Sequence, residues 1–544
     1  MDRLDDSRSS NSAAAASTRR DFLLKAGACA ASAGASGMSP AIAGQEIAPS
    51  EWDYRSASDL VAALRERRIS ALELADRTIA RIEALDSRIN AMPVRDFERA
   101  RAAARAADAA LARGEKSVLL GVPATVKESF NIAGLPTSWG DPRFKHFTPK
   151  EDALAVSRLK KAGAVILGKT NVSQWLSDWQ SYNRVYGTTN NPFDLCRTPG
   201  GSSGGSAAAL AAGFSALSLG SDMGGSMREP AHYCGIYAHK PTEGLVPRRG
   251  HARPGAAPLP EEHELAAIGP MARSAADLAL ALDVVAGPDE MTAGVGYGLA
   301  LPPPRHDRLS DFRALIVDAH PLGPTAQVVR EALATLAERL AKAGASVSDN
   351  RALAPDLAQA TRLHARLVSA YWGAGLPFAS YEKLFRDAAA FSRSDHSLAA
   401  ERARGAVLSF REWRGVDAQR AQLRQKWREV FHNFDVVLCP AAPTTAFPHD
   451  HSTPIEARRV RIDGKLYSYL DAHTIWAAPA TIAGLPATVA PIDHDGSGLP
   501  IGVQIIGPFL EDRSTITFAT LLERAFGGFA QPTMNSRRRS CPKT

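Results

Sequence analysis

The sequence predicts an α/β fold in which a β-sheet is covered by helices on both faces. Short apolar runs, typical of buried strands, alternate along the chain with segments of helical periodicity. The strands are predicted at residues 118–126, 165–167, 314–317, 435–438 and 501–506. The helices between them are predicted at residues 96–113, 152–162 and 325–343. This alternation is the pattern of a layered α/β structure.

Local signals mark several boundaries of these elements. Ser70 and Glu73 form a capping-box pattern at the start of an earlier amphipathic helix. Gly114 and Gly163 end the next two predicted helices, since glycine readily adopts the left-handed conformation found there. The first predicted strand places Lys127 at its carboxyl end.

Composition indicates a globular protein whose body is close to neutral. The 544 residues are 45% hydrophobic and 22% charged, with a formal net charge of +7. Residues 1–43 contribute +1 and the final eight residues contribute +4, which leaves +2 for the body. A nucleic-acid surface needs clustered cations on a folded face, so no nucleic-acid partner is expected. Residues 533–544 are predicted to be a basic disordered tail.

The first 43 residues have the features of a twin-arginine export signal. Arg19 and Arg20 precede Phe22, a weakly apolar Gly/Ala-rich run follows to Met38, and a small-x-small cleavage pattern ends at Ala43. We therefore predict a signal peptide, export by the twin-arginine translocation machinery, and a periplasmic or secreted location.

No later stretch supplies the roughly 18 uninterrupted apolar residues that a membrane helix requires, so no stable membrane association is expected. Of the five cysteines, Cys29 lies in the predicted signal. The others show no metal-ligand spacing and are expected to be buried thiols, namely Cys196, Cys234, Cys439 and Cys541.

Two glycine-rich turns that present serines lie within residues 198–230. The first holds Ser202 and Ser203 between pairs of glycines, and the second holds Ser226 after two glycines. Glycine lets another group approach the backbone closely. Open N–H groups beside a hydroxyl suit acyl transfer, which needs a nucleophile and an oxyanion hole. The apolar residues between the turns argue against a flexible linker.

These segments resemble the amidase signature family. The matching stretches are residues 121–128, 168–171, 198–206, 220–228 and 239–242, and weaker similarity extends from about Trp52 to Gln531. The resemblance implies one large amidase-signature domain, over residues 44–532, with a central mixed β-sheet.

The resemblance also implies a Ser–cis-Ser–Lys triad. Ser226 is then the nucleophile, Ser202 the bridging serine with a cis peptide bond, and Lys127 the base. A serine hydroxyl is a poor nucleophile until a base takes its proton, and burial can lower the pKa of a lysine enough for that task. Ser202 relays the proton, and water hydrolyses the acyl-enzyme.

Two further groups of residues follow from the same resemblance. The backbone N–H groups of the oxyanion hole are those of Met223, Gly224, Gly225 and Ser226. The side chains expected to hold the triad in place are Ser203, Asp222 and Arg228. Neither a metal ion nor an organic cofactor is implied.

The expected function is that of an amidase, which hydrolyses a small-molecule carboxylic amide to the acid and ammonia or an amine. Aliphatic, aryl and peptide amides and simple esters all fit the motifs. A tRNA-linked amidotransferase component of the same family is disfavoured by the export signal. A catalytically silent binding protein is disfavoured by the intact Lys127, Ser202 and Ser226.

Other motifs are weaker. Ser203 fits the G-x-S-x-G elbow, but that elbow must follow a strand, and the segment before it is polar and contains Pro199. Ser157 and Lys160 fit S-x-x-K on a charged helix face. The histidines near the signature, expected to be core or rim residues, are His232, His239 and His251. The aromatic residues ahead of it are expected to serve packing, with a wall of the acyl pocket as the alternative for one or two of them; they are Trp175, Trp179, Tyr182 and Tyr186.

Two features bear on specificity. Glu229 stands where the family more often has a neutral residue, and a carboxylate so near the nucleophile is expected to alter which substrates are accepted. Residues 245–264, rich in proline, glycine, arginine and histidine, are a long loop that is a candidate to shape a substrate entrance.

Overall fold

The structure, a computed structural model, describes residues 49–260 and 265–533. These residues form an α/β fold around an eleven-stranded mixed sheet, which confirms the predicted fold class. The predicted signal peptide and almost all of the predicted basic tail lie outside the described residues, as do Cys29 and Cys541.

The described residues form fifteen strands and fourteen α-helices. The strands are β1 (Val94–Arg95), β2 (Pro123–Lys127), β3 (Val165–Thr170), β4 (Tyr182–Asn183), β5 (Gly187–Thr188), β6 (Leu217–Asp222), β7 (Tyr237–Lys240), β8 (Ala267–Ala272), β9 (Arg313–Ile316), β10 (Ser346–Ser348), β11 (Val436–Pro440), β12 (Arg459–Ile462), β13 (Lys465–Ser468), β14 (Ala487–His494) and β15 (Pro500–Ile506). The helices are α1 (Ala57–Arg65), α2 (Ala71–Ile89), α3 (Phe97–Ala112), α4 (Leu154–Lys161), α5 (Gly204–Ala211), α6 (Arg228–Tyr233), α7 (Ala275–Val285), α8 (Gln327–Lys342), α9 (Leu357–Ala374), α10 (Phe378–Ala389), α11 (Leu398–Ala406), α12 (Phe410–Asn433), α13 (Tyr469–Ile482) and α14 (Asp512–Phe526).

The strand order in the large sheet is β1-β3-β2-β6-β8-β7-β14-β15-β11-β9-β10. Strand β2 lies between β3 and β6 and runs parallel to both, whereas the strands from β6 to β11 pair antiparallel. The carboxyl ends of β2, β3 and β6 therefore meet at one edge of the sheet, where ligands bind in open α/β sheets. This edge brings Lys127 near Ser221 and Asp222.

Helices cover both faces of the sheet. Ala314 and Leu438 belong to one core cluster, while their neighbours Leu315 and Val437 belong to another. Successive side chains of a strand point to opposite faces, so each face has a core of its own. The second core includes Trp427 of helix α12.

The predicted elements are present, with changes of a few residues at several boundaries. The capping box of Ser70 and Glu73 opens α2 as predicted. The first predicted strand begins later than expected, at Pro123, because residues 118–121 form a turn. In that turn the N–H of Leu119 donates to the carbonyl of Ala162 at the end of helix α4, which takes the backbone out of the sheet.

The three described cysteines are of two kinds, and no membrane-spanning helix is found among the described residues. Cys234 and Cys439 are buried free thiols as expected, but Cys196 is disulfide-bonded, so the expectation of a thiol at that position was wrong. Among the described residues, no helix is both long enough and apolar enough to cross a membrane.

Candidate active site

Lys127 ends strand β2 in a fully buried position. Its Nζ lies 2.7 Å from Ser202 Oγ, 3.0 Å from Ser221 Oγ and 3.3 Å from the Ser221 carbonyl oxygen. The side chain has no exposed surface. The amine is therefore surrounded by neutral oxygen atoms rather than by water.

Burial lowers the pKa of Lys127 from 10.5 to about 7, and the negative charge of Asp222 opposes this shift only in part. Burial has this effect because a low-dielectric environment penalises the charged ammonium form. A substantial fraction of the amine is then neutral near pH 7 and able to accept a proton.

Ser202 lies in the first glycine-rich turn, just before helix α5. The Gly201–Ser202 peptide bond is cis, and the Ser202 side chain is buried. A Cβ atom on Gly201 would lie 2.5 Å from the Asp178 carbonyl oxygen and 2.6 Å from the Gln180 nitrogen. Only glycine fits at this position, and the tight backbone contact fixes where Ser202 presents its hydroxyl.

Ser226 lies in the second turn, between β6 and α6, and is half-buried. Its carbonyl accepts a hydrogen bond of 3.0 Å from the N–H of Ser203, so the two turns are in direct contact. Within the described part of the chain, Ser226 Oγ makes no hydrogen bond to Ser202. Lys127 is thus hydrogen-bonded to Ser202, and the backbone of Ser226 is hydrogen-bonded to that of Ser203, the next residue.

Asp222 and Arg228 form a buried ion pair under the second turn. Arg228 donates to both carboxylate oxygens, at 3.0 and 2.8 Å. Asp222 also accepts from the N–H groups of Gly225 and Met227, at 2.8 and 3.0 Å. Burial alone raises the pKa of Asp222, but Arg228 and these N–H groups hold it well below its usual value. The carboxylate is therefore charged and fixes the shape of the turn.

Further bonds tie this ion pair to the rest of the fold. Arg228 donates to the Gln504 side chain in β15 at 2.6 Å and to Thr481 Oγ1 in α13 at 2.8 Å. Ser203 Oγ donates to the Ser221 carbonyl at 3.2 Å. The three residues expected to support the triad, Ser203, Asp222 and Arg228, thus all contact its backbone or its neighbours.

The four predicted oxyanion donors are not equivalent. The N–H of Gly225 is already donated to Asp222. Among the described residues, the N–H groups of Met223, Gly224 and Ser226 have no hydrogen-bond partner. These three groups belong to the same turn as Ser226 and are available to a developing negative charge.

Two residues beside this turn were not predicted to contact it. His364 Nε2 lies 3.0 Å from the Met223 carbonyl oxygen, and Trp179 Nε1 donates to the Gly224 carbonyl at 2.7 Å. His364 is 141 residues from Met223 and carries no motif, so no sequence signal points to it. Trp179 was expected to serve packing or to form part of the acyl-pocket wall, and no hydrogen bond to the turn was predicted for it.

Glu229 follows Arg228 on α6 and is buried. Its carboxylate lies 2.7 Å from Nδ1 of His473, which is also buried. Burial raises the pKa of Glu229 to about 7, although the charge of His473 opposes the rise. The ring of His473 stacks on Trp179, with centroids 5.3 Å apart. The unusual carboxylate is therefore paired inside the core, beside the turn that holds Gly225 and Ser226.

The weaker motifs lie away from the serines. Lys160 is exposed and pairs with Asp152 at 2.7 Å. The three core histidines bond elsewhere, His232 to Gly502, His239 to Asp512 and His251 to Ser129. The loop at residues 245–264 contains neither helix nor strand as far as residue 260, and residues 261–264 lie outside the description. In the described part of the chain, no group of three or more His, Cys, Asp or Glu residues could hold a metal ion.

A family model described as Amidase matches residues 73–516, which is most of the chain. The chain belongs to the amidase family. Members of this family are serine amide hydrolases. A glutamyl-tRNA(Gln) amidotransferase subunit of Roseiflexus castenholzii is 34% identical over 477 residues, covering 84% of this chain and 92% of that protein.

Two other proteins extend the comparison for this amidase-family chain. Fatty-acid amide hydrolase 2-A of Danio rerio is 31% identical over 504 residues, covering 88% of this chain and 90% of that protein. A bacterial aryl acylamidase of the amidase signature family shares the fold, with a TM-score of 0.73 and 24% identity, over 88% of this chain and 97% of that chain.

Proposed function

We propose that this protein hydrolyses a carboxylic acid amide to the acid and ammonia or an amine through an acyl-enzyme on Ser226. One observation carries the proposal: a fully buried Lys127 amine lies 2.7 Å from Ser202 Oγ, in the turn that contacts Ser226. This arrangement supplies a base and a hydroxyl relay next to a second, accessible hydroxyl.

The first half of the reaction acylates the serine. The neutral amine of Lys127 takes the proton of the Ser202 hydroxyl, which in turn takes the proton of Ser226. The Ser226 oxygen attacks the amide carbonyl carbon, and the carbonyl oxygen gains negative charge. The free N–H groups of Met223, Gly224 and Ser226 stabilise that charge, and one such donor typically contributes about 3 kcal/mol.

The second half releases both products. The proton held by Lys127 returns through Ser202 to the leaving nitrogen, which departs as ammonia or an amine. A water molecule then attacks the acyl carbon while Ser202 and Lys127 take its proton, and that proton is passed to Ser226 Oγ as the bond to the acyl carbon breaks and the acid is released. The Ser202–Ser226 hydrogen bond that this relay requires is expected to form on substrate binding, since catalytic hydrogen bonds often tighten in the complex.

A component of an amidotransferase remains the second candidate because of the similarity to the glutamyl-tRNA(Gln) amidotransferase protein of Roseiflexus castenholzii. The predicted export signal favours the hydrolase, since residues 1–43 have no use in a protein that acts beside translation. The hydrolase and the transferase differ in whether free acid forms without an acceptor protein.

The test is a panel of aliphatic, aryl and peptide amides and the matching esters, with ammonia and free amine measured separately. We expect the purified protein to release acid from at least one amide without any partner, and Ser226→Ala to release none. Hydrolysis that persists in Ser226→Ala would contradict the proposed nucleophile. Folded wild type that hydrolyses no member and reacts with no serine-directed reagent would favour a silent binding protein.

A further inference from the structure

Two consecutive carbonyls of the serine turn are each held by a side chain from a distant part of the chain. The serine turn is defined here as residues 223–226. His364 of helix α9 contacts the Met223 carbonyl, and Trp179 contacts the Gly224 carbonyl. Neither side chain belongs to the predicted triad or to its predicted supports.

The direction of the hydrogen bond from His364 is determined by its environment. The side chain is 3% exposed, and burial lowers the pKa of His364 to about 4. The ring is therefore neutral near pH 7 and carries one N–H. A carbonyl oxygen can only accept a hydrogen bond, so Nε2 carries that hydrogen and donates it to Met223.

Among the described residues, the bond to the Met223 carbonyl is the one hydrogen bond that the His364 ring makes. Nδ1 of His364 is buried and has no hydrogen-bond partner within the described residues. A buried polar ring with a single hydrogen bond loses much hydration, which argues that the bond to the turn is the reason for its presence.

A hydrogen bond that fixes the direction of a carbonyl also fixes the direction of the N–H group of the following residue. The peptide unit is planar and trans, so its C=O and N–H point in opposite directions. Fixing the Met223 carbonyl toward His364 therefore directs the Gly224 N–H away from His364. That N–H has no partner among the described residues and is one of the three donors available to an oxyanion.

The peptide unit that Trp179 contacts shows the same opposite directions of C=O and N–H. Trp179 holds the Gly224 carbonyl on one side, and the N–H of the same peptide unit, on Gly225, donates to Asp222 at 2.8 Å. A Cβ atom on Gly224 would lie 3.8 Å from His364 Cε1 and 3.9 Å from Trp179 Cζ2, so the two rings flank this residue.

We propose that His364 and Trp179 are positioning residues of the serine turn: His364 directs the Gly224 N–H toward the substrate oxyanion, and Trp179 holds the next peptide unit so that Gly224 keeps this orientation. The proposal rests on the proposed amidase function. Two adjacent glycines give the turn little conformational preference of its own. The two ring donors replace that missing preference, because each peptide unit between Met223 and Gly225 is then held at its carbonyl.

The test compares two amide substitutions at residue 364. In His364→Gln the side-chain amide reaches the position of Nε2 and keeps a donor for Met223, whereas in His364→Asn it ends near the position of Nδ1. The readout is the second-order rate constant for labelling of Ser226 by a fluorophosphonate. The P=O oxygen of this reagent occupies the oxyanion position. We expect His364→Asn to label about 10- to 100-fold more slowly than wild type and His364→Gln within about threefold.

Trp179→Phe tests the second contact, since it keeps an aromatic side chain, though a smaller one, and removes the indole N–H donor. It is expected to lower the labelling rate about tenfold or more. His320→Gln and His320→Asn are the matched controls. His320 is a buried histidine whose pKa burial also lowers to about 4, and it contacts Thr361 of α9 but not the serine turn. Both controls are expected to label at the wild-type rate.

Wild-type labelling rates in folded His364→Asn or folded Trp179→Phe would overturn the proposal. Equal slowing of His364→Gln and His364→Asn, with unchanged Tm, would overturn it as well, because the donor at the Nε2 position would then be irrelevant. Failure of the amidase function is a separate result, in which folded wild type is not labelled at Ser226 at all.

Discussion

Three lysines in the described part of the chain are fully buried, and they differ in what their amines contact. Burial lowers the pKa of Lys127 to about 7 and those of Lys169 and Lys240 to about 8. The amine of Lys169 contacts the Pro136 carbonyl and Thr137, and that of Lys240 contacts a backbone carbonyl. Only Lys127 among them contacts serine hydroxyls. Burial lowers the pKa of all three amines, but contact with Ser202 makes Lys127 the candidate base.

Replacing Lys127 by methionine is expected to remove most of the activity while leaving the fold intact. Methionine keeps an apolar chain of similar length but cannot accept a proton. We expect Lys127→Met to lower the fluorophosphonate labelling rate at least about 100-fold, the usual scale of general-base catalysis. The Tm is expected to change little, since burying an amine does not stabilise the fold.

Lys169→Met is the matched control for this prediction. It also removes a buried amine, but one without contact to Ser202 or Ser226. Its labelling rate per folded molecule is expected to equal that of wild type. Near-wild-type labelling by Lys127→Met would exclude the lysine from the reaction.

Residues that belong to a local motif could be predicted, and residues that reach the site from elsewhere could not. Lys127 and Ser202 lie in segments with a family pattern, and the structure places them in contact. His364 is one of 14 histidines in the chain, and no feature of its own segment distinguishes it. Its role depends on how helix α9 packs against the serine turn, which is a tertiary contact without a local signal.

Replacing a helical glycine by alanine is expected to have opposite effects on stability in helices α5 and α12. Gly205 lies in the first turn of helix α5 against the neighbouring backbone, and a Cβ there would lie 2.4 Å from the Asn171 nitrogen. Gly415 lies inside helix α12 with nothing within 4 Å of the same position. We expect Gly205→Ala to destabilise by about 1–3 kcal/mol or more and Gly415→Ala to stabilise by about 0.5–1 kcal/mol. Denaturant unfolding of both variants measures the change in unfolding free energy. Stabilisation by Gly205→Ala would contradict the close packing of Gly205 against Asn171.

The Asp222–Arg228 pair joins four elements, because Arg228 in α6 contacts β6, α13 and β15. Arg228→Met leaves a buried carboxylate without its partner and is expected to cost about 3–5 kcal/mol at pH 7. The exposed pair of Arg513 and Asp283 is the control, and Arg513→Met is expected to cost less than about 1 kcal/mol.

The effect of Arg228→Met depends on pH with a definite sign. The pKa of Asp222 in the folded protein lies below its usual 3.8, so its stabilisation is present above pH 3.8 and is lost as the pH falls below that value. The difference in unfolding free energy between wild type and Arg228→Met is therefore expected to shrink in acid. A difference that grows as the pH falls would contradict a charged, paired Asp222.

Strands and helices were predictable where the apolar pattern is strong, and less so where packing decides. The strand that ends at Lys127 was predicted, but its start was placed too early because residues 118–121 are apolar and yet turn back to bond the end of α4. Helices α9 to α12 were not predicted as separate elements. Apolar residues of α9 and α12 face the second core. Gly375 after α9 and the capping box of Ser409 and Glu412 before α12 are local signals that could have shown two of the boundaries.

At the scale of the whole molecule, the site lies where three parallel strands end together within a mixed sheet. The alternation of strands and helices predicts the α/β class, because it reflects local periodicity. It does not predict the strand order, which places β6 beside β2 and so brings Lys127 and Ser221, 94 positions apart, into contact. The site geometry follows from that order.

Export remains a prediction for the whole chain, and it rests on Arg19, Arg20 and the residues that follow them. Replacing both arginines by lysine keeps the charge but removes the pair that the twin-arginine machinery recognises. The double variant is expected to remain in the cytoplasm as the precursor, whereas wild type is exported. Fractionation of cells that express each form measures this, and normal export of the double variant would rule out that route.

The pH dependence of fluorophosphonate labelling at Ser226 tests the central claim most directly, namely that a neutral buried amine activates this serine. Peptide mapping identifies the labelled residue, and rates are measured from pH 5 to pH 9. Because burial lowers the pKa of Lys127 to about 7, the amine loses its proton as the pH rises through that value. We predict a rate that rises through about pH 7 and then levels off. A rate that is flat or falls over this range, or an adduct on another residue, would contradict the account.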